Sequence, residues 1–502
     1  MNPLYTVAQI RAIEQAAALA LPPGALMQRA GQVGAQAALS LLPAPPAQTK
    51  VLLLAGPGNN GGDALEMAAH LAHAGAAVSV WMGDTARGLS QERQLALARA
   101  QASPARFEER GAAAIASTDW DLVVDGLFGI GLERPLTGEL RHITEAVNQL
   151  TCPVLALDVP SGLNADTGAI VGLDGIAVRA SHTVTFIGDK PGLHTCDGRD
   201  YAGTVQVACL DIDARHFPPA KAHLNGSGFF ARQLRARRQN THKGSFGNVA
   251  VLGGAHGMTG APILSARSAL FSGAGRVYIA FADSAPAYDS GQPELMCRLA
   301  SDFDFNSATL VVGPGLGSTH HARNLLARAI GSDSALLLDA DALNLMAAEP
   351  ELQAALAQRS MPTVLTPHPL EAARLLGIAV GAVQADRLAA ARQLAAQMGL
   401  TVVLKGSGSV IAAANGSVVI NTTGNPALAT AGTGDVLSGL GGALLAQGWP
   451  AWEAALGAVW LHGLAADDLV RQGAGPLGLT AGELIPAIRL AINRLLQRSN
   501  SH

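Results

Sequence analysis

Asp435 is the acid in this chain best placed by its neighbours to take a proton. It lies in Thr430-Ala-Gly-Thr-Gly434-Asp-Val-Leu-Ser-Gly439, where small residues lead into an apolar, helix-forming stretch. A helix beginning near Gly434 offers free backbone N–H groups to an anion. Asp435 could then deprotonate a hydroxyl as negative charge develops over that helix end. A first-turn acid favoured by the helix dipole is the plainer alternative. Its company argues against that: Gly313-Pro-Gly-Leu-Gly317, Thr366-Pro-His368-Pro-Leu-Glu371 and Lys405-Gly406-Ser407-Gly408-Ser409 each follow an apolar run. His368 alone would pass for a packed loop histidine. Between two prolines that fix its backbone, it reads as positioned for a ligand. No GxxxxGK[ST] phosphate loop occurs.

The first half carries a second constellation. Val51-Leu-Leu-Leu-Ala-Gly-Pro-Gly-Asn59-Asn60-Gly61-Gly62-Asp63 reads as a buried strand, a glycine turn and a helix whose first turn starts at Asp63. Gly56, Gly58 and Gly61 satisfy GxGxxG, and Asp84 follows near the spacing of a ribose-binding acid, so an NAD-dependent dehydrogenase is an alternative. Glycines serving only a tight turn are disfavoured by the costly polar pair Asn59 and Asn60. Asp125 and Asp158 end later apolar runs and should converge with the glycine loop. Lys190 is as readily a turn residue as a site residue. Glu66, His70 and His73 share a helix face and read as solvated rather than as metal ligands. His194 and Cys196 read as incidental rather than as a nucleophilic pair.

The elements that must hold these groups alternate strand and helix. Strands are expected at 51–55, 77–81, 122–125, 154–157, 183–187 and 204–209, a βαβ pattern of parallel sheet. The pattern lapses around Phe217-Pro-Pro219, which places a boundary near residues 212–230 and domains at 1–218 and 231–498. It resumes at 248–252, 276–281, 309–312, 335–338, 363–366 and 401–404. A hairpin follows, 409–413 and 417–421, turning at Asn415-Gly416, and two helices close the chain. The fold class is α/β, as two domains of different plan.

Composition agrees. The 502 residues are 49% hydrophobic and 14% charged, with 57 glycines, which suits buried α/β cores with ligand loops. A net charge of -4 gives no reason to expect nucleic acid or an anionic membrane as partner. Four cysteines at wide, irregular spacing, with no CxxC pair, argue against a zinc site or a disulfide framework. The N-terminus lacks a signal-peptide pattern, and the apolar segment 451–469 is interrupted by Glu453, His462, Asp467 and Asp468. A reducing, cytoplasmic setting is expected.

With these residues placed, two family resemblances emerge. Leu26-Met-Gln-Arg-Ala-Gly31, Gly58–Asp63, Val124-Asp-Gly-Leu-Phe-Gly129-Ile-Gly131 and Leu157-Asp-Val-Pro-Ser161-Gly162 resemble the motifs of NAD(P)H-hydrate epimerases, of Rossmann-like fold. The resemblance implies that hydrated NADH and NADPH (NADHX and NADPHX) bind Asn59, Asn60, Gly61, Gly62 and Asp63. Gly129, Ile130, Gly131, Leu132, Glu133, Arg134, Pro135 and Asp158 would complete that site. It implies potassium on Asn60, Asp125 and Ser161, and Asp158 is the candidate for proton transfer at C6. Ala64 departs from the family, which more often has glycine there.

The second half resembles ribokinase-like ADP- or ATP-dependent NAD(P)H-hydrate dehydratases. His242-Lys-Gly-Ser-Phe-Gly-Asn-Val249, Gly260-Ala261-Pro262 and the loops above carry that resemblance. It implies Ala261, Gly317, His368 and Asp435 on the hydrate, with Lys405, Gly406, Ser407, Gly408, Ser409 and Gly434 on the adenine nucleotide. Magnesium would accompany the phosphates, and the assembly would be a homo-oligomer. A hydroxymethylpyrimidine- or hydroxyethylthiazole-type kinase is the rival for the second half. A non-catalytic binding module is the rival for the first.

Overall fold

The computed structural model describes residues 2–83, 90–108 and 111–499. Asp84, the candidate ribose acid, lies outside them. The chain divides into two compact units, one ending at Ala222 and one beginning at His223.

In the first unit, β1 (Lys50–Ala55), β2 (Ala77–Met82), β3 (Arg106–Glu108), β4 (Leu122–Gly126), β5 (Val154–Leu157), β6 (His182–Phe186) and β7 (Thr204–Ala208) form a seven-stranded sheet. Its order is β3-β2-β1-β4-β5-β6-β7, with every pairing parallel. This is the doubly wound Rossmann order, whose direction reverses between β1 and β4. Leu52, Leu53 and Leu54 are sealed because helices cover both faces of a parallel sheet. The Val7–Ala18 helix starts at a capping box, in which Thr6 Oγ1 accepts from Gln9 N and Gln9 Oε1 accepts from Thr6 N. Ile10, Ile13 and Ala17 form its buried stripe, with Glu14 at the stripe's edge.

The helix after β1 starts at Asn59, not Asp63. Asn59 and Asn60 therefore belong to its first turn, at the mouth of the glycine loop. Glu66 is buried and ion-paired with Arg99, which corrects the solvated-face reading, while His70 and His73 are exposed. The partner comes from the next helix, Gln91–Ala102, and so was invisible in the local pattern.

In the second unit the strands are β8 (Asn248–Gly253), β9 (Arg276–Phe281), β10 (Met296–Leu299), β11 (Thr309–Val312) and β12 (Leu336–Leu338). They continue with β13 (Thr363–Leu365), β14 (Thr401–Leu404), β15 (Val410–Ala412) and β16 (Val418–Ile420). The order is β16-β15-β14-β13-β12-β11-β8-β9-β10, parallel except for the antiparallel hairpin β14-β15-β16. Three helices close the unit rather than two: Thr433–Ala446, Ala451–Arg471 and Ala481–Ser499. The last carries Pro486 in its interior, which reads locally as a breaker. No helix among the described residues is long and apolar enough to cross a membrane.

The Thr433–Ala446 helix carries Asp435 and packs tightly on the Gly260–Phe271 helix. A Cβ at Gly439 would lie 1.9 Å from the Ser265 carbonyl oxygen, and Ser268 Oγ donates to Val436 O at 2.7 Å. Helices this close cannot part without moving Asp435. Gly439→Ala should therefore lower stability by about 1–3 kcal/mol through overpacking, read as an earlier thermal transition. An unchanged transition would show that the contact relaxes freely.

Candidate functional sites

The first site lies at the carboxyl ends of β1, β4 and β5, where a doubly wound sheet opens its crevice. A cleft of about 710 Å³ is lined by Glu14, Asn59, Asn60, Asp63, Gly129 to Gly131 and Asp158. Gly61 and Gly62 are buried beneath the glycine loop. Leu132, Glu133, Arg134 and Pro135 are not among the lining residues, and the last three are exposed. Arg93, which sequence reading missed, is buried and donates to the carbonyls of Gly56 and Pro57, fixing the loop. The Ala64 methyl is fully buried and sits 2.5 Å from where a Gly126 Cβ would stand, so a glycine across from it makes room.

Asp158 follows β5 at φ 65, a left-handed conformation unusual for a residue with a side chain. Its carboxylate accepts from Lys190 Nζ at 2.5 Å, Ile130 N at 3.1 Å and Phe186 N at 3.4 Å. Lys190 is fully buried and spends its other protons on Thr185 Oγ1 and Phe186 O, each at 2.7 Å. It is a site residue rather than a turn residue. A Cβ at Gly129 would come within 2.6 Å of Asp158 Oδ2, so only glycine lets this loop approach the carboxylate. Asp63 is held well above the ordinary carboxylate range by burial and by the charges of Asp158, Glu14, Glu66 and Glu92.

Behind the cleft, Asp125 is wholly buried. Its Oδ1 accepts from Ser161 Oγ at 2.6 Å and its Oδ2 from Ser161 N at 2.8 Å. Burial still pushes its pKa up to about 6 against those hydrogen bonds. Asn60 Nδ2 donates to Leu157 O, while its buried Oδ1 has no partner among the described residues. An orphaned amide oxygen, a buried carboxylate and a hydroxyl are the kinds of donor that fit a hard monovalent cation. His194 faces Asp189, with Nε2 2.8 Å from Oδ1.

The second site gathers at the carboxyl ends of β11 to β14. Lys405 Nζ donates to Asp339 Oδ1 at 2.5 Å, and Asp339 Oδ2 accepts from Ser438 Oγ at 2.5 Å. A Cβ on Gly434 would stand 3.7 Å from Lys405 Nζ, so the glycine at the helix start brings the lysine and the helix end together. Asp435, next along, is half-buried. Burial, then the charge of Asp339, raises its pKa to about 6, with Lys405 opposing. Asp341 Oδ2 accepts from Gly317 N at 2.8 Å and fixes the 313–317 loop. Ala261 closes on that loop, 3.4 Å from where a Gly315 Cβ would be. Asp339 and Asp341 were missed, although two acids directly after an apolar strand were a visible signal.

His368 caps its own helix. Nδ1 accepts from Leu370 N and Glu371 N, and Nε2 lies 3.1 Å from Glu371 Oε1. Those contacts fix the ring at the half-exposed rim. Gly406 and Ser409 close a turn on each other, and the buried Arg387 guanidinium braces its start through the Leu404 and Lys405 carbonyls.

Comparison with known proteins separates the same two halves. Residues 23–192 match the family described as YjeF-related protein N-terminus, and residues 249–489 match NAD(P)H-hydrate dehydratase. A bifunctional NAD(P)H-hydrate repair enzyme of Coxiella burnetii is 37% identical over 98% of this chain and 100% of its own. One from Escherichia coli is 35% identical over 93% of this chain and 89% of its own. An ADP-dependent (S)-NAD(P)H-hydrate dehydratase of Neisseria meningitidis is 46% identical over 53% of this chain and 92% of its own. Over essentially its full length, this chain belongs to the family of bifunctional NAD(P)H-hydrate repair enzymes.

Proposed function

We propose that this chain returns hydrated NADH and NADPH to use, interconverting the R and S hydrates in its first unit and dehydrating the S form in its second. The observation that carries the second activity is the placing of Asp435 at a helix N-terminus, with Gly434 against Lys405. Asp435 takes the proton of the C6 hydroxyl, whose oxygen attacks the terminal phosphoryl group of ADP or ATP. Lys405 and the helix N–H groups receive the phosphates. The ring nitrogen then expels phosphate from C6, and loss of a proton from C5 restores the double bond. Among the described residues no group of three His, Cys, Asp or Glu side chains is placed to hold a metal ion. Mg²⁺ would therefore be held chiefly by the nucleotide's own oxygens, neutralising their charge. Fold alone also allows a kinase with a stable phosphorylated product. A hydroxyl on a carbon beside a ring nitrogen makes elimination the easier course.

In the first unit, Asn59, Asn60, Asp63, the 129–131 loop and Asp158 hold the hydrated ring, and Asp158 exchanges a proton with the oxygen on C6 during inversion. Asn60 Oδ1, Asp125 and Ser161 would hold K⁺, which would neutralise the buried carboxylate and stiffen the strand ends around the substrate.

Asp435→Asn should reduce nucleotide-driven dehydration by about 10²–10⁴-fold. In the native chain the base must be ionised, so dehydration should fall with decreasing pH through about 6. Asp339→Asn removes a negative neighbour, lowers the Asp435 pKa and moves that limb to lower pH. A limb that stays fixed in Asp339→Asn, or near-native rates in Asp435→Asn, would refute the assignment. For the cation, Asp125→Asn should abolish the dependence of epimerisation on K⁺ concentration, measured as R–S interconversion during a KCl titration at constant ionic strength. A native chain equally active in sodium and potassium would remove the site.

A further inference from the structure

We propose that Glu14, on the N-terminal Val7–Ala18 helix, is the proton partner of Asp158 in C6 epimerisation. One carboxyl expels the hydroxyl as water and the other deprotonates the water that replaces it. This rests on the epimerase reading above and deepens it. Glu14 precedes residues 23–192, the part matched by the first family description, yet it lines the same cleft as Asp158. The capping box at Thr6 and the buried stripe of Ile10, Ile13 and Ala17 fix the helix, so Glu14 is presented from a rigid element.

The two carboxyls have opposite surroundings. Asp158 accepts from Lys190 Nζ and two backbone N–H groups, which fix its carboxyl oxygens at the cleft. Lys190 is a positioning residue for that base. Among the described residues Glu14 has no such donor set. Burial, then the charges of Asp158 and Glu92, raise its pKa, with Lys190 and Arg11 opposing. Asp63, from the helix after β1, is likewise held toward its neutral form. Unlike environments of this kind divide acid from base.

The step balances without redox chemistry. The C6 hydroxyl takes the Glu14 proton and leaves as water, while the ring-nitrogen lone pair forms a bond to C6. Water adds at C6 from the other face, its proton passes to Asp158, and the pair returns to the ring nitrogen. The reverse inversion starts from the swapped protonation state, as an epimerase requires. The transient species is a cation, and a cleft lined by Glu14, Asp63, Glu92 and Asp158 suits it.

The test uses the full chain, purified R or S hydrate, no nucleotide and oxygen-18-labelled water, with the spontaneous rate subtracted. Glu14→Gln should cut epimerisation by about 10²–10⁴-fold, mainly in kcat, and Glu14→Asp should restore part of it. The native enzyme should lose activity as pH rises through the Glu14 pKa, and Glu14→Gln should lack that fall. Each inversion should install one solvent oxygen at C6, read by mass spectrometry. Near-native kcat in folded Glu14→Gln, or inversion that keeps the original oxygen, would overturn the proposal. A native chain without epimerisation would instead overturn the reading on which it rests.

Discussion

A lysine ammonium taken out of water must be met by an anion, and in both units that requirement organises the site. Lys190 is sealed against Asp158, and the partly buried Lys405 is paired with Asp339, each at 2.5 Å and each at the carboxyl end of a parallel sheet. Desolvating such charges costs several kcal/mol per ion, and removing one partner typically costs about 3–5 kcal/mol. The pairs hold because further donors and acceptors complete them: Thr185 and the Phe186 carbonyl around Lys190, Ser438 beside Asp339. Loops and helix starts then take their places around a fixed charge. Ile130 N–H is drawn onto Asp158, and Gly434 settles against Lys405.

The two pairs serve different chemistry. In the first unit the aspartate itself faces the cleft, so its lysine fixes the carboxyl group in reach of the substrate. In the second, Asp339 is turned inward on Ser438 and Lys405 and acts on the site at one remove. Its charge helps to raise Asp435 to about 6, where a carboxylate is ionised at neutral pH yet still basic enough to accept a hydroxyl proton. One unit thus holds its base by direct pairing, and the other tunes its base through a neighbour.

Most of the scaffold was legible because buried parallel strands read as continuous apolar runs. Residues 154–157, 276–281, 309–312 and 401–404 are strands as expected. The short edges Arg106–Glu108 and Met296–Leu299 were not, since a polar edge strand is defined by the neighbour it pairs with rather than by its own pattern. Within the sites, glycine loops and strand-end acids announced themselves. Asp63 as the helix start did not hold, because the two asparagines already turn helically. Glu14 carried no local signal, as one acid on an amphipathic helix is ordinary until the fold turns it into a cleft. The link from Glu66 to Arg99 and the closing helix with its internal proline likewise depend on tertiary partners.

The central claim is that two independent sites act in sequence on one damaged cofactor. It is tested most directly by mixing two full-length variants, Asp158→Asn and Asp435→Asn, with an equal mixture of R and S hydrates, ADP, Mg²⁺ and K⁺. Asp158→Asn alone should convert the S form quickly and then continue only at the rate of spontaneous epimerisation. Asp435→Asn alone should scramble the epimers and restore no reduced cofactor. Together they should drive both epimers to NADH at an uninterrupted rate. Equal clearance of both epimers by Asp158→Asn alone would contradict the account, as would a stall that Asp435→Asn cannot relieve.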